Sequence, residues 1–309
     1  MIQSNGEDMK AVLNRLLAAG LQFPVTSGVH QTAIPFLTVL KEMKATPISH
    51  GVLKPSFCIV LQGVKKLQAG DKALEYGAGD YMAASVDMPV NGQVLQASAD
   101  LPYIAFRIEL TPEEVSTVAL DADLHFQLQE GTRQSGVFVG KPGLEVFEAF
   151  ERLLRLTADS RAANYLASAV KREIIYRLLD GEEGTYFYRN MMLHHEASGI
   201  SKVINWITSH YDSPFSIGEL AELGNMSVSN LHYKFKEVTA MAPLQYQKRL
   251  RLQEARRLLL AGERNVTETA LRVGYNSSTQ FTREYKRLFG YSPLKDIHAV
   301  HEGERFYEY

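Results

Sequence analysis

Two short segments near the C-terminal end carry side chains suited to contacting nucleic acid. On a helical wheel, the first segment groups hydrogen-bonding and cationic residues on one side: Ser229, His232, Tyr233 and Lys236. The second segment presents an equivalent set: Thr279, Thr282, Arg283 and Lys286. An arginine can fork onto guanine, hydroxyl and imidazole groups reach base edges, and ammonium groups suit phosphates. Both faces are therefore predicted to enter a DNA major groove.

The opposite side of each segment is apolar. It comprises Val228, Leu231, Phe235 and Val238 in the first segment, and Phe281, Tyr285 and Leu288 in the second. A helix that is apolar on one side packs that side on a core and leaves the other side exposed. The polar faces are therefore expected to point outward.

A short helix and a tight turn precede each of these helices. Ser216 with Glu219 forms a capping box in the first unit, and Asn265 with Glu268 takes the same positions in the second. The turns and the caps of the second helices are Gly224-Asn225-Met226 with Ser227, and Gly274-Tyr275-Asn276 with Ser277. This pattern predicts two helix-turn-helix units, over about 216–238 and 265–288.

The two units are copies of one pattern. Leu231-x-x-x-Phe235-Lys236-x6-Pro243 aligns with Phe281-x-x-x-Tyr285-Lys286-x6-Pro293 at an offset of 50 residues. Ala221 aligns with Ala270 at an offset of 49, so the second copy has one extra residue near its turn. A match of this length indicates an internal duplication.

A long helix is predicted between the copies, over about 243–261. Pro243 suits its first turn, and Gly262 ends it. Such a helix is roughly 27 Å long, so it can hold two recognition helices about one DNA turn, on the order of 34 Å, apart. Its arginines are expected to flank the DNA backbone: Arg249, Arg251, Arg256 and Arg257.

Charge is divided unevenly along the chain. The net charge of the 309 residues is −2, which taken alone argues against a nucleic-acid partner. Residues 200–298, however, carry a net charge of +5 and residues 1–199 a net charge of −5. Such asymmetry is a hint of nucleic-acid contact, and ordinary scatter is the alternative explanation.

The amino-acid composition excludes several other classes of protein. Hydrophobic residues make up 45% and charged residues 22%, the proportions of a folded globular protein. No run of about 18 apolar residues exists, and the polar start does not resemble a secretory signal, so no membrane partner is expected. The single cysteine, Cys58, excludes an internal disulfide and a multi-thiolate zinc site, and it favours a cytoplasmic location.

Short strands are predicted between residues 36 and 110. Apolar or alternating runs mark them at 56–62, 65–69, 72–76, 80–85, 93–97 and 103–109. Gly70-Asp71 and Asn91-Gly92 are both two-residue hairpin signals. Strands of this length and spacing predict a small β-barrel or sandwich.

Helices are predicted on both sides of the barrel. One lies at about 9–19, and two apolar stripes within 143–180 predict helices that pack on the barrel or on a second copy of themselves. Residues 186–198 are interpreted as a connector between domains. The predicted fold class is α+β: a barrel domain over 1–185, and an all-α domain over 199–298 with two helix-turn-helix units joined by a long helix.

The C-terminal segment, 199–295, resembles the AraC/XylS family of bacterial transcription regulators. The resemblance rests on Leu220-Ala221, Met226-Ser227-Val228-Ser229, Leu231-His232, Phe235-Lys236, Leu250-Arg251-Leu252, Val273-Gly274-Tyr275, Phe281-Thr282-Arg283 and Phe289-Gly290-Tyr291-Ser292-Pro293. It implies sequence-specific binding of double-stranded DNA at promoters, with RNA polymerase as a further candidate partner.

The resemblance also implies which residues contact DNA. The base-contacting positions fall on Ser229, His232, Tyr233, Ser278, Thr279, Thr282 and Arg283. The expected phosphate contacts are Ser227, Lys236, Ser277, Lys286 and Arg287. Many relatives carry Arg where Tyr233 stands, so the first unit departs from the family pattern there.

The N-terminal segment resembles the cupin-like regulatory domain of one AraC-type subfamily, at 55–63, 79–81 and 85–89. This implies a barrel that binds a small-molecule effector, with adjoining helices forming homodimer contacts. The candidate effector-binding residues are Cys58, Tyr81, Tyr103 and Arg107. Arg107 shares a strand face with Tyr103, so it meets either an anionic ligand inside the barrel or solvent outside it. The effector, the operator and the choice between activation and repression are not encoded in any motif.

Two alternatives to an effector-binding barrel stay open. The barrel can serve only dimerisation or a partner protein, and Cys58 can be a redox sensor rather than a small core residue. A metal-dependent cupin enzyme needs clustered His and carboxylate ligands, but only His50 lies near the predicted strands. His194 and His195 are interpreted as surface residues. No enzymatic activity, metal or cofactor is therefore expected.

Overall fold

The computed structural model describes residues 2–23, 27–70, 72–126, 136–195, 199–262 and 265–301. The strands within these ranges are β1 (Gly28–Gln31), β2 (Leu37–Glu42), β3 (Ser49–Leu53), β4 (Ser56–Gln62), β5 (Val64–Ala69), β6 (Lys72–Gly77), β7 (Tyr81–Ala84), β8 (Met88–Gln96), β9 (Tyr103–Glu109) and β10 (Val137–Gly140). Five helices accompany them in the N-terminal part: α1 (Ile2–Gln22), α2 (Pro112–Asp121), α3 (Leu144–Leu156), α4 (Ser160–Asp180) and α5 (Gly184–His195).

The strands form two antiparallel sheets. One has six strands in the order β1-β2-β9-β4-β7-β10, and the other has four in the order β3-β8-β5-β6. Apolar residues from both sheets share one buried cluster, with Cys58 and Val60 on the larger sheet and Leu67 and Val90 on the smaller. The sheets therefore face one another across an apolar interior, and the predicted α+β class with an N-terminal β domain is confirmed.

One hairpin prediction holds and the other is wrong. β5 and β6 form an antiparallel hairpin whose last pair before the turn is Ala69 with Lys72, as Gly70-Asp71 predicts. Asp71 itself lies outside the described residues. Asn91 and Gly92 lie inside β8, a continuous strand that pairs with β3 on one edge and with β5 on the other. Pairing on both edges overrides the local turn preference, because Asn91 and Gly92 each have a partner residue in both neighbouring strands.

The outer face of the larger sheet is covered by helices. Phe57 and Phe106 on that face share a core with Leu16 of α1, Phe150 of α3 and Ile174 of α4. Since successive residues of a strand point to opposite faces, the same strands line both the inter-sheet interior and this helical layer. The two stripes within 143–180 thus pack on the barrel domain.

A buried lysine holds the first helix in place. The Nζ of Lys41 on β2 donates to the carbonyl oxygen of Leu21 at 3.0 Å, at the end of α1. Cations are favoured at a helix C-terminus because the last carbonyls have no partner within the helix.

The segment interpreted as a connector is largely a packed helix. α5 spans Gly184–His195, and its Phe187 and Met191 are buried in the same core as α3 and α4. Residues 196–198 lie outside the described residues, as do the side chains of His194 and His195.

Seven helices make up the C-terminal part of the described chain. They are α6 (Gly199–Ser209), α7 (Ile217–Leu223), α8 (Val228–Thr239), α9 (Pro243–Leu260), α10 (Val266–Arg272), α11 (Ser278–Phe289) and α12 (Pro293–His301). The helix pairs α7–α8 and α10–α11 correspond to the two predicted helix-turn-helix units, and α9 is the long helix between them.

Candidate nucleic-acid interface

Hydrogen bonds at the helix starts fix the local geometry of both units. At α7 the Ser216 hydroxyl accepts from the Glu219 amide, and the Glu219 carboxylate accepts from the Ser216 amide, which completes the capping box. At α10 the Asn265 side chain accepts from the amides of Thr267 and Glu268, and the carboxylate of Glu268 makes no return bond within the described chain. The first box is therefore complete and the second is only half formed.

The second helix of each unit also begins at its predicted cap. Ser227 accepts from the amide of Asn230 at the start of α8, and Ser277 accepts from the amide of Gln280 at the start of α11. Both serines are exposed. Each keeps its hydroxyl hydrogen available for a phosphate oxygen beside the helix N-terminus, where anions are favoured.

α8 buries the expected side with one exception. Leu231, Phe235 and Val238 are buried, whereas Val228 is 45% exposed because it lies in the first turn, beyond the core. The predicted contact residues Ser229, His232, Tyr233 and Lys236 are all exposed. Tyr233 is 68% exposed, so the polar side of α8 is open to a partner.

α11 shows the same division. Phe281, Tyr285 and Phe289 are buried, and Leu288 is half-buried. Thr279, Arg283, Lys286 and Arg287 are exposed, while Ser278 and Thr282 are half-buried. The structure thus gathers the predicted DNA-contacting residues on the outward sides of α8 and α11.

One arginine joins the two units. Arg251 on α9 donates to the carbonyl oxygens of Tyr211 at 2.6 Å and Gly274 at 2.7 Å, and also to those of Asp212 and Ser213. It therefore ties the segment before the first unit to the turn of the second. Gly274 has φ +88°, and a Cβ there would lie 2.1 Å from the Asp212 carbonyl oxygen, so this close approach requires glycine.

A buried ion pair anchors the second unit. The guanidinium of Arg256, 2% exposed, pairs with the carboxylate of Asp296 on α12, with Nε to Oδ2 at 2.6 Å. The Tyr285 hydroxyl donates to the same carboxylate oxygen at 3.0 Å. Burial and the Asp296 charge raise the pKa of Tyr285, so this hydroxyl remains a donor near neutral pH.

The predicted basic flank along α9 is therefore wrong for most of its members. Arg251 and Arg256 are committed to contacts inside the domain, and Arg257 is paired with Glu254 at 2.7 Å. Arg249 lies 3.4 Å from the Asn91 side chain of the barrel domain, and burial lowers its pKa. Helical periodicity places all four on one helix, but only the packing around α9 decides which of them reach solvent.

An interface between α9 and the smaller sheet is the feature that sequence reasoning missed. The Tyr246 hydroxyl donates to the Asp87 carbonyl oxygen at 2.7 Å, and the Gln253 amide donates to the Gly51 carbonyl oxygen at 2.5 Å. The ring of His50 meets the ring of Phe289 edge-on at 5.2 Å. The sequence feature that could have indicated this interface is a polar residue, Gln253, within an otherwise apolar face of α9.

The four candidate effector residues divide between two faces of the larger sheet. Cys58 and Tyr103 are buried in the inter-sheet cluster, and Arg107 is the direct cross-strand neighbour of Cys58. Tyr81 belongs to the opposite, helix-covered face. The sequence therefore grouped residues from two separate environments.

Arg107 lies at an opening between the sheets. Its Nε is buried and has no hydrogen-bond partner within the described chain. A cavity of about 170 Å³ adjoins it, lined by Val52, Lys54, Ser56, Arg107 and Glu109. Two cationic groups against one carboxylate favour an anionic occupant.

In the ranges that the structure describes, no three His, Cys, Asp or Glu side chains converge as metal ligands would. None of the helices in those ranges combines the length and apolar character that a bilayer crossing requires.

Comparison with known proteins decides the family. Residues 33–186 match the family model of the AraC-type transcriptional regulator N-terminus, and residues 220–296 match a helix-turn-helix domain model. The chain belongs to the AraC family of transcription regulators. Within this AraC-type chain, the first match runs from just before β2 into α5, and the second runs from within α7 into α12.

Known proteins are similar to this chain in sequence or in fold. The chain is 30% identical over 159 residues to the HTH-type transcriptional activator RhaS of Escherichia coli strain SE11. That match covers 51% of this chain and 56% of RhaS, so it spans about half the length of the relative. The fold is similar to that of ToxT from Vibrio cholerae with an unsaturated fatty acid bound, at 10% identity and TM-score 0.56, covering 85% of this chain and 93% of that chain. A second ToxT structure, with (E)-4-(8-methylnaphthalen-1-yl)but-3-enoic acid bound, gives TM-score 0.59 at 10% identity, covering 89% and 100%.

Proposed function

We propose that this AraC-type protein is a sequence-specific DNA-binding regulator of transcription, acting in the bacterial cytoplasm and not as an enzyme. One observation carries the proposal: two matched helices present polar and cationic faces outward while their apolar faces are buried. Hydroxyl groups, an imidazole and one arginine on these faces suit base edges. Exposed Lys236, Lys286 and Arg287 suit phosphates, and RNA polymerase is the partner that promoter binding implies.

The packing of α9 supports use of the two helices together. Arg251 fixes the turn of the second unit against the segment before the first unit. The two DNA-facing helices, α8 and α11, are therefore held at a fixed spacing. Because the net charge of 200–298 is only +5, non-specific attraction is modest and specific binding depends on both grooves.

Selection of bound sequences from random DNA with the full chain tests this proposal. The expected result is a motif with two blocks about one helical turn apart. The double variant Thr279→Ala/Arg283→Ala should erase one block and Ser229→Ala/His232→Ala the other. The absence of any enriched motif, or a motif that both double variants leave intact, would overturn the proposal.

We further propose that the barrel domain binds a small anionic effector at Arg107. The support is the buried Nε of Arg107, which has no hydrogen-bond partner among the described residues, together with Lys54 and a cavity that can take the charged end of a ligand. The ToxT ligands named above are both carboxylic acids, which is the same chemical class. A carboxylate accepts hydrogen bonds from a guanidinium in the geometry that Arg107 offers.

Thermal unfolding with butyrate, octanoate and oleate tests the effector proposal, with the matching alcohols as controls. A ligand that binds only the folded state raises the unfolding temperature by mass action. Arg107→Met should abolish the rise, whereas Arg172→Met removes an equal charge from an exposed pair with Asp121 and should preserve it. Equal effects of acids and alcohols would contradict anion recognition, and no effect of any compound would favour a barrel that only mediates assembly.

Exposed apolar residues on α4 support a separate proposal, that the protein forms a homodimer. Tyr165 is 85% exposed and Leu166 45% exposed on the side of α4 that faces away from the core. Exposed neighbouring apolar residues favour a protein contact, so we propose that this side forms homodimer contacts. Sedimentation of the Tyr165→Glu variant should show a monomer if this is correct.

A further inference from the structure

A second cavity lies outside the barrel, between the larger sheet and the helices that cover it. Its volume is about 510 Å³, within the range of small-molecule sites. Phe57 and Tyr81 form an aromatic floor, with ring centroids 5.0 Å apart, and Val146 and Leu178 form the walls. Phe57 points away from the inter-sheet interior that its neighbour Cys58 faces, so the sheet separates this cavity from the one at Arg107.

The rim of the cavity carries unmatched charges of both signs. Arg177 near the end of α4, and Glu182 and Glu183 in the turn before α5, all line it. Within the described chain none of these three side chains forms an ion pair; Arg177 only approaches the ring of Tyr176, at 5.8 Å. The remaining cation on the rim, Lys141, is already paired with Asp80 at 2.5 Å.

The Tyr81 hydroxyl shows how these charges act inside the cavity. Burial, followed by the charges of Glu183 and Glu182, raises the pKa of Tyr81 to about 12. The hydroxyl therefore stays protonated at neutral pH. Carboxylates that disfavour a phenolate at this position favour a cation there.

We propose that this cavity binds a free α-amino acid with an apolar side chain. The Arg177 guanidinium binds the ligand carboxylate, the Glu182 and Glu183 carboxylates bind its ammonium group, and its side chain packs on Phe57 and Tyr81. An α-amino acid carries both charged groups and its side chain on one carbon atom, which is the combination that this rim and floor present when the side chain is apolar. A ligand of single charge leaves one side of the rim unmatched.

Calorimetric titration of the full chain with L-phenylalanine and L-leucine tests the proposal. At least one of them should bind, and 3-phenylpropionate, which lacks the ammonium, and 2-phenylethylamine, which lacks the carboxylate, should bind at least about tenfold more weakly than phenylalanine. Each analogue loses a charge-assisted hydrogen bond, which accounts for a factor of that order. Amino-acid binding should also slow amide exchange between residues 177 and 187.

Variants locate the site. Arg177→Gln and Glu183→Gln should each weaken amino-acid binding at least about tenfold, and neither should unfold the protein because neither side chain is buried. Arg172→Gln, an exposed position earlier on the same helix, is the matched control and should leave binding unchanged. No binding of either amino acid at millimolar concentration, equal binding of the analogues, or indifference to Arg177→Gln would overturn the proposal. Arg107→Met should leave amino-acid binding intact; loss of binding in that variant would place the ligand in the barrel and also overturn it.

Discussion

The two helix-turn-helix units share a sequence pattern but are stabilised in different ways. The core of the first unit is continuous with the inter-sheet core, since Val238 and Tyr246 belong to one cluster with Val60 and Val90. The second unit has a core of its own, built around Phe281 and its aromatic neighbours. Its contact with the barrel domain includes the edge of His50 against Phe289. A duplicated sequence can therefore give two units with one geometry and different thermodynamic coupling.

The contrast has a functional consequence. We expect a change of state in the barrel to reach the first unit through the buried side chains that the two share. We expect it to reach the second unit mainly through α9 and the Arg251 contacts. Within the proposed function, the first unit is the one that an effector influences directly, and the second unit provides a stable anchor on DNA.

The largest expected effect is on the independent core. Arg256→Met removes the guanidinium that pairs with the buried carboxylate of Asp296, which should cost about 3–5 kcal/mol. Amide exchange measured by mass spectrometry should show lost protection in α10–α12 and retained protection in α7, α8 and the sheets. Arg257→Met, which breaks the more exposed pair with Glu254, is the control and should cost less than about 1 kcal/mol. Uniform loss of protection across both units would show that their cores are not separate.

The next effect concerns base readout. Arg283→Ala should weaken specific DNA binding by about 1–3 kcal/mol and relax the preference at one base position. Tyr233→Ala should cost less, because a single hydroxyl cannot fork onto a base as a guanidinium does. Competition binding on the selected motif measures both losses of affinity. A greater loss for Tyr233→Ala would show that the first unit contributes more to base readout than the second.

A matched pair of tyrosines tests the coupling itself. Tyr246→Phe removes the donor to the Asp87 carbonyl oxygen and should destabilise the first unit and the barrel domain by about 1–3 kcal/mol. Tyr275→Phe removes the hydroxyl that donates to Glu284 at 2.9 Å and should destabilise the second unit alone. Denaturant dependence of amide exchange separates the two outcomes. If both variants loosen the same helices, the contrast between the units is wrong.

The smallest effect should come from the capping boxes. Glu219→Ala removes a carboxylate that accepts from the Ser216 amide at 2.6 Å, whereas Glu268→Ala removes one that has no such bond within the described ranges. Protection of the α7 amides from exchange should therefore fall in the first variant, and protection of the α10 amides should not change in the second.

The backbone hydrogen bond at Ser216 lowers the pKa of Glu219 below its usual 4.5. Its contribution is thus present above pH 4.5 and is lost as the pH falls through the lowered pKa. Protection of α7 that stays constant through that range would contradict this assignment.

The sequence by itself determined the features that depend on neighbours within a few turns of helix. The caps at Ser216, Ser227 and Ser277, the polar faces of α8 and α11 and the duplication all follow from spacing of residues close together in the chain. Local hydrogen bonds and helical periodicity act at that range, so they are readable without a fold. Six of the strands follow similarly from short apolar or alternating runs between turn signals.

Tertiary structure alone decided the features that join distant segments. Gln253 meets Gly51 across 202 residues of chain, and Tyr246 meets Asp87 across 159. The strand position of Asn91 and the burial of Arg256 were likewise set by partners far along the chain. A side chain's exposure depends on everything packed around it, so α9 could be predicted as a helix while the partners of its arginines could not.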